Sequence, residues 1–235
     1  MLPPTAIVFD LDGTLIDSRG DIVAAVNHAL MQSGRSPLAA PVIVRYIGDG
    51  ARTLCARAAQ LAEMEEEVDH LLSLFVDYYA AHAVDFTRWA TGAQETLHAF
   101  GEIPDLTLAL CTNKPRVITD AVLSALGVRS RFRAVVAGGD LAEKKPAALP
   151  LLHLASALHV TTEAMVMVGD GPQDIECARR AKVRSVAVES GFHPTGRIRA
   201  AHPDVHIRTL LELPEVIQRW REATARIGLQ AEKLR

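Results

Sequence analysis

A chain of 235 residues, 49% hydrophobic and 23% charged, is long enough for one large α/β domain or for a core carrying a small second one, and its composition excludes a disordered or low-complexity protein. With 25 Lys+Arg against 28 Asp+Glu, a net charge of −3 and no basic block, nothing draws nucleic acid or an anionic membrane, and a small-molecule partner is expected. Cys55, Cys111 and Cys177 stand apart with no Cys-x-x-Cys pair, which argues against a zinc cluster or a disulfide framework. The segment before Asp10 has no basic n-region, so no secretory leader is expected. The stretch Pro146 to Thr162, free of Asp, Glu, Lys and Arg, falls short of the roughly 20 apolar residues of a membrane span. A cytoplasmic protein is expected.

Thr5 to Asp10 is a short apolar, β-branched run that reads as a buried strand entering a loop at Gly13. From Asp17 to Ala83 the pattern is helical, with Ile22, Val26, Ala29 and Leu30 on one face and Val68, Leu71, Leu72, Phe75 and Tyr79 on another. Alternation then resumes: helix 92–101, strand 106–111, helix 115–126 closed by Gly127, strand 133–137, helix 148–159, strand 164–168, helix 172–181, strand 184–188, a short strand near 205–207, and a last helix 210–227. Strands separated by helices predict βαβ units with right-handed crossovers. The expected fold is α/β, a three-layer Rossmann-like parallel sheet core with an all-helical cap inserted after the first strand. Residues 1–16 and 90–235 form the core, residues 17–89 the cap, with hinges near Asp17 to Gly20 and Phe86 to Gly92.

Four polar clusters follow predicted strands. Asp10 and Asp12 lie two residues apart just past the first strand, so in extended backbone they point the same way. Like charges this close favour a shared cation, a proton or an acid/base role. Asp170 closes strand 164–168, and Asp174 lies one turn into a helix that Pro172 begins. Thr112 and Asn113 follow strand 106–111 and offer a hydroxyl and an amide to an anion. Lys144 and Lys145 occupy the loop after strand 133–137, where a lysine supplies a point charge among acids. Each cluster alone has a plain structural explanation as a solvated turn, a helix cap or a solvated loop. Together, at the carboxyl ends of parallel strands, they suit a hard cation and a phosphate.

In order and spacing these residues resemble the haloacid dehalogenase-like superfamily. Asp10-Leu11-Asp12-Gly13-Thr14 is similar to its first motif, Thr112-Asn113 to its second, Lys145-Pro146 to its third, and Gly169-Asp170 with Asp174 to its fourth. The resemblance implies that Asp10 is a nucleophile taking a phosphoryl group, and that Asp12 protonates the leaving alcohol and then activates water. It implies a Mg2+ held by the Asp10 carboxylate, the Asp12 backbone carbonyl and Asp170, with Asp174 in support, and phosphoryl oxygens held by Thr112, Asn113 and Lys145. Gly48-Asp49-Gly50 in the cap resembles a Gly-Asp-Gly segment of the phosphoglycolate phosphatases and is the candidate for substrate specificity. Two positions depart from that pattern: Ala147-Ala148 where His-Pro is expected, and Gly171 where Ser is common. The implied activity is magnesium-dependent hydrolysis of a small phosphomonoester, 2-phosphoglycolate first. Another sugar phosphate, a β-phosphoglucomutase-like phosphotransfer, or a non-catalytic binding protein of the same fold are the alternatives. The partner is a small phosphorylated metabolite, with no nucleic acid and no membrane, and the protein a monomer or homodimer. Trp89 and Tyr78-Tyr79 read as packing residues, Glu63 and Glu65 to Glu67 as a favourable helix start, and the nine histidines show no metal-ligand spacing.

Overall fold

A computed structural model describes residues 2–189 and 191–233, with side chains through Thr224. The first apolar run forms β1 (Ala6–Phe9), buried along its whole length. After a tight loop come β2 (Ile16–Asp17), α1 (Arg19–Gln32), α2 (Ala40–Val44), α3 (Ala51–Leu61), α4 (Val68–Ala81) and β3 (Arg88–Trp89). The chain then alternates through α5 (Ala93–Gly101), β4 (Thr107–Pro115), α6 (Arg116–Ala125), β5 (Ala134–Gly138), α7 (Leu149–Leu158), β6 (Met165–Gly169), α8 (Pro172–Ala181) and β7 (Arg184–Val188). It ends with α9 (Thr195–Ala200), β8 (Val205–Ile207) and α10 (Leu213–Lys233).

The six main strands form one parallel sheet in the order β5-β4-β1-β6-β7-β8. Because side chains alternate across a strand, Ile7 and Phe9 join a core with Leu97, Phe100, Ile118, Val122 and Ile217, from α5, α6 and α10. Ala6 and Val8 face the other way, onto Leu151 and Leu154 of α7 and Cys177 and Ala178 of α8. Helices therefore cover both faces, and burying a Phe9-sized side chain contributes about 1.5–3 kcal/mol. The chain steps from β1 outward to β4 and β5, then returns to β6 on the other side. The order thus reverses between β1 and β6, the switch point where open parallel sheets bind ligands.

Helices α1 and α4 pack together through Ile22, Val26, Leu71 and Phe75, and α4 also reaches α6. The helical run anticipated from periodicity is present, but two short strands bracket it. Ile16 pairs with Trp89 and Asp17 with Arg88, antiparallel. Two-residue strands carry no readable alternation, so periodicity does not report them. Strand β4 also outlasts its apolar run. It continues through Thr112, Asn113 and Lys114 to Pro115, with a register irregularity against β5, because those polar side chains are buried against site residues rather than against lipid-like core.

Candidate active site

Asp10 leaves β1 with its backbone N–H donating to Val168 O at 2.9 Å, which fixes it beside the end of β6. Gly13 then turns the chain at φ +87°, and a Cβ there would collide with the Asp170 carboxylate. Only glycine meets both demands. The loop closes through the Gly13 N–H donating to Ile16 O at 2.8 Å. Asp170, at the end of β6, is buried and accepts the Phe192 N–H at 2.7 Å and the Thr14 hydroxyl at 3.4 Å. It is not the cap of α8. That task falls to Asp174, whose Oδ2 accepts the Gly171 N–H at 2.9 Å.

Lys145 ties these acids together. Its Nζ donates to Asp10 Oδ1 at 2.7 Å, to Asp174 Oδ1 at 2.6 Å and to Cys111 O at 2.7 Å, with the residue 2% exposed. Burial alone would pull its ammonium down, but Asp10 and Asp174 hold it well above the usual lysine range. One cation faces three carboxylates, so the acids remain under strain of charge. Burial, only partly offset by Lys145, pushes Asp10 up to about 7. Burial, reinforced by Asp174 and Asp10, raises Asp170 well above the ordinary range. Carboxylate oxygens of Asp10, Asp170 and Asp174 lie within 4.8 Å of one another. An all-oxygen, electron-rich and crowded donor set fits a hard divalent cation. The Asp12 carboxylate stands outside this cluster.

Asp12 is held separately. Lys114 Nζ donates to its two oxygens at 2.9 and 3.1 Å, and the Ser18 hydroxyl at 2.5 Å. The same ammonium donates to the Tyr79 hydroxyl of α4 at 2.6 Å and lies 4.0 Å from that ring's centre. Burial pulls Lys114 down, yet Asp12 and Tyr79 bring it above its usual range, and burial raises Tyr79 to about 12, so the pair is ammonium and neutral phenol. Thr112 and Asn113 are buried beside it. The Asn113 amide donates to Gly48 O and to Lys145 O, each at 3.0 Å, so this residue joins the sheet edge to the loop before α3.

Asp10, Asp12, Thr112, Asn113, Gly48, Gly50 and Tyr79 line one cavity between the strand ends and the helical segment. Gly48 and Gly50 have φ of +117° and +88°, which lets their backbone approach Asn113 closely. The Asp49 carboxylate does not share this cavity. It pairs with Arg57 at 2.8 Å, while Lys144 donates to the Asp49 carbonyl. Of the four clusters anticipated from sequence, Asp10, Asp12, Thr112, Asn113, Lys145, Asp170 and Asp174 converge, whereas Lys144 turns away to the Asp49 carbonyl, and the cap candidate Asp49 keeps its side chain outside the site. Ser18, Thr14 and Tyr79 were missed. Tyr79 lies one turn beyond Phe75 on the apolar face of α4, and a lone hydroxyl on that face was its only signal.

With this geometry in hand, likeness to known proteins is specific. Residues 7–188 match the family model for haloacid dehalogenase-like hydrolases. A phosphoglycolate phosphatase of Agrobacterium fabrum is 35% identical over 209 residues, 88% of each chain. A phosphoglycolate phosphatase of Neisseria meningitidis is 36% identical over 221 residues, 91% of this chain and 93% of that one. The crystal structure of a predicted phosphoglycolate phosphatase from Haemophilus somnus superposes with a TM-score of 0.86 at 27% identity, covering 92% of this chain and 99% of that one. The match extends from β1 to β7 and so spans Asp10, Thr112, Lys145 and Asp170: this chain belongs to the haloacid dehalogenase-like hydrolase family, and within it resembles the phosphoglycolate phosphatases.

Proposed function

We propose that the protein hydrolyses 2-phosphoglycolate to glycolate and phosphate through an aspartyl-phosphate on Asp10. The broader class, a hydrolase of phosphoric monoesters, follows from its family and relatives. A carboxylate oxygen of Asp10 attacks phosphorus and the bond to the leaving oxygen breaks. Asp12 gives its proton to that oxygen, then takes one from water, and the resulting hydroxide displaces Asp10 and releases phosphate. Thr112 holds a phosphoryl oxygen, and Asn113 and Lys145 join it by each trading one of their present bonds, to Gly48 O and to an Asp10 or Asp174 oxygen, for a phosphoryl oxygen. The Lys145 ammonium, 2.7 Å from Asp10, reduces repulsion between a carboxylate and an approaching phosphate dianion. Asp10 and Asp170, with the Asp12 carbonyl and with Asp174 in support, hold Mg2+, which when bound supplies charge neutralisation for the phosphoryl oxygens. Residues 17–89 act as a cap that shields the site from water, and Gly48-Asp49-Gly50 shapes its floor. No helix among the described residues is long and apolar enough to cross a membrane, and we place the enzyme in the cytoplasm as a monomer or homodimer.

The observation that carries this reading is the meeting of Asp10, Asp170, Asp174 and Lys145 at the switch point of the sheet. Its test is phosphate release from a panel of phosphomonoesters, with Mg2+ and with chelator. Mg2+-dependent release with 2-phosphoglycolate far ahead of sugar phosphates and nucleotides is the expected result. Preference for a different ester overturns the substrate, and no release from any ester overturns the reaction.

A further inference from the structure

Within the cavity that Asp12 faces, the wall beyond the strand ends is apolar, made by Ile22, Ile47, Ala51, Leu54, Phe75 and Ile118. Among the described residues lining it, Lys114 carries the one cationic group, and the Tyr79 hydroxyl stands 2.6 Å from it. The cavity, which also takes in the phosphoryl side at Asp10, Thr112 and Asn113, has a volume of about 50 Å3, where a single water needs about 10–15 Å3, so it favours a leaving group of only a few heavy atoms. A polyol there would lose hydrogen bonds to water and find no replacement on the apolar wall.

We infer that Lys114 and Tyr79 form the subsite that reads a carboxylate on the leaving group, making the enzyme selective for small phosphorylated hydroxy acids. The inference rests on the phosphomonoesterase reading above and on Asp12 facing the ester oxygen. Lys114 Nζ lies 2.9 and 3.1 Å from the two Asp12 oxygens. A donor that close to the group protonating the ester oxygen is within reach of a carboxylate two bonds further along, as in an O–CH2–COO− leaving group. A carboxylate there would share Lys114 with Asp12 and complete its pairing with the phenol, giving a charge-assisted bond in an otherwise apolar pocket. Ethyl phosphate, which has the same length but ends in a methyl group, offers nothing to that ammonium. Lys114 also touches Asp12, so loss of activity alone does not isolate the carboxylate role; a preference between two substrates does.

The test compares kcat/KM for 2-phosphoglycolate with that for ethyl phosphate in the wild type, Lys114→Met and Tyr79→Phe. The wild type is expected to prefer the acid by about 100-fold or more, Lys114→Met to lose most of that preference, and Tyr79→Phe to lose about tenfold of it, as expected for a charge-assisted and a neutral donor. Glycolate is expected to inhibit the wild type competitively and to inhibit Tyr79→Phe more weakly, while inhibition by inorganic phosphate stays unchanged. If Lys114→Met fails to fold, the Tyr79→Phe preference and the glycolate inhibition decide. Unchanged preference and unchanged glycolate inhibition overturn the inference and leave the phosphatase reading standing. Wild-type protein that hydrolyses neither ester overturns the phosphatase reading instead.

Discussion

Every donor of the Lys145 ammonium is occupied, by Asp10, by Asp174 and by the carbonyl of Cys111. Replacing it with Met, which matches its length, removes the one positive charge from a nest of three buried acids. Breaking a buried pair in this way costs about 3–5 kcal/mol, so Lys145→Met is expected to show that loss in urea denaturation without metal. Asp10→Asn does the reverse. It relieves like-charge crowding and leaves the metal-free fold as stable or more so, while turnover falls by about 10^4-fold or more, as for removal of a covalent nucleophile. Equal destabilisation by both substitutions would contradict the charge count. At this scale the acids, Thr112, Asn113 and Lys145 were legible because short loops after apolar strands leave chemistry-bearing residues in fixed order. Ser18 and Tyr79 were not, since their role exists only once α1 and α4 have packed over the strand ends.

At the scale of elements, the helical segment joins the sheet through two neighbouring connections that one buried side chain clasps. Asp21, 2% exposed at the start of α1, accepts the Phe86 N–H at 2.9 Å and the Thr87 hydroxyl at 2.5 Å. Beside it, Gly20 lies so near Phe86 that a Cβ would come within 2.6 Å of that residue's own Cβ. Asp21→Ala leaves the buried Thr87 hydroxyl and the half-buried Phe86 N–H unpaired, at about 1–3 kcal/mol. It is expected to lower the thermal midpoint and to speed proteolysis within residues 17–20 and 86–92, with the sheet itself resistant. Uniform cleavage along the chain would show that the clasp does not act locally. Gly and Pro placement marks these two connections in the sequence, whereas the β2–β3 pairing between them leaves no such mark. A pairing of two residues each depends on the two chain ends of a 70-residue excursion being brought together, which periodicity does not report. The main strands and helices were legible because each carries a full turn or more of its own pattern.

For the molecule as a whole, the parallel order of the sheet places acids from β1 and β6 side by side and away from water, and this sets how stability responds to pH. In the unfolded chain Asp10 titrates near 3.8, whereas in the folded protein it is raised to about 7, and Asp170 is likewise raised well above its unfolded value. Below both values the two states carry the same protons. As pH climbs from about 4 towards 7, the unfolded chain releases protons that the folded one keeps, so these two groups favour unfolding increasingly. Lys145, raised above an already high value, keeps its charge throughout this window and cannot offset the trend. A divalent cation binds the deprotonated acids and replaces the missing positive charge, so its hold strengthens as pH rises. The thermal midpoint of the metal-free protein is therefore expected to fall between about pH 5.5 and pH 8, and the gain on adding Mg2+ to be several degrees larger at the higher pH. Asp170→Asn removes one of the raised carboxyls and is expected to flatten both dependences. An equal Mg2+ gain at the two pH values, in wild type and variant alike, would move the cation off this cluster, because any seat that includes these acids must compete with protons for them.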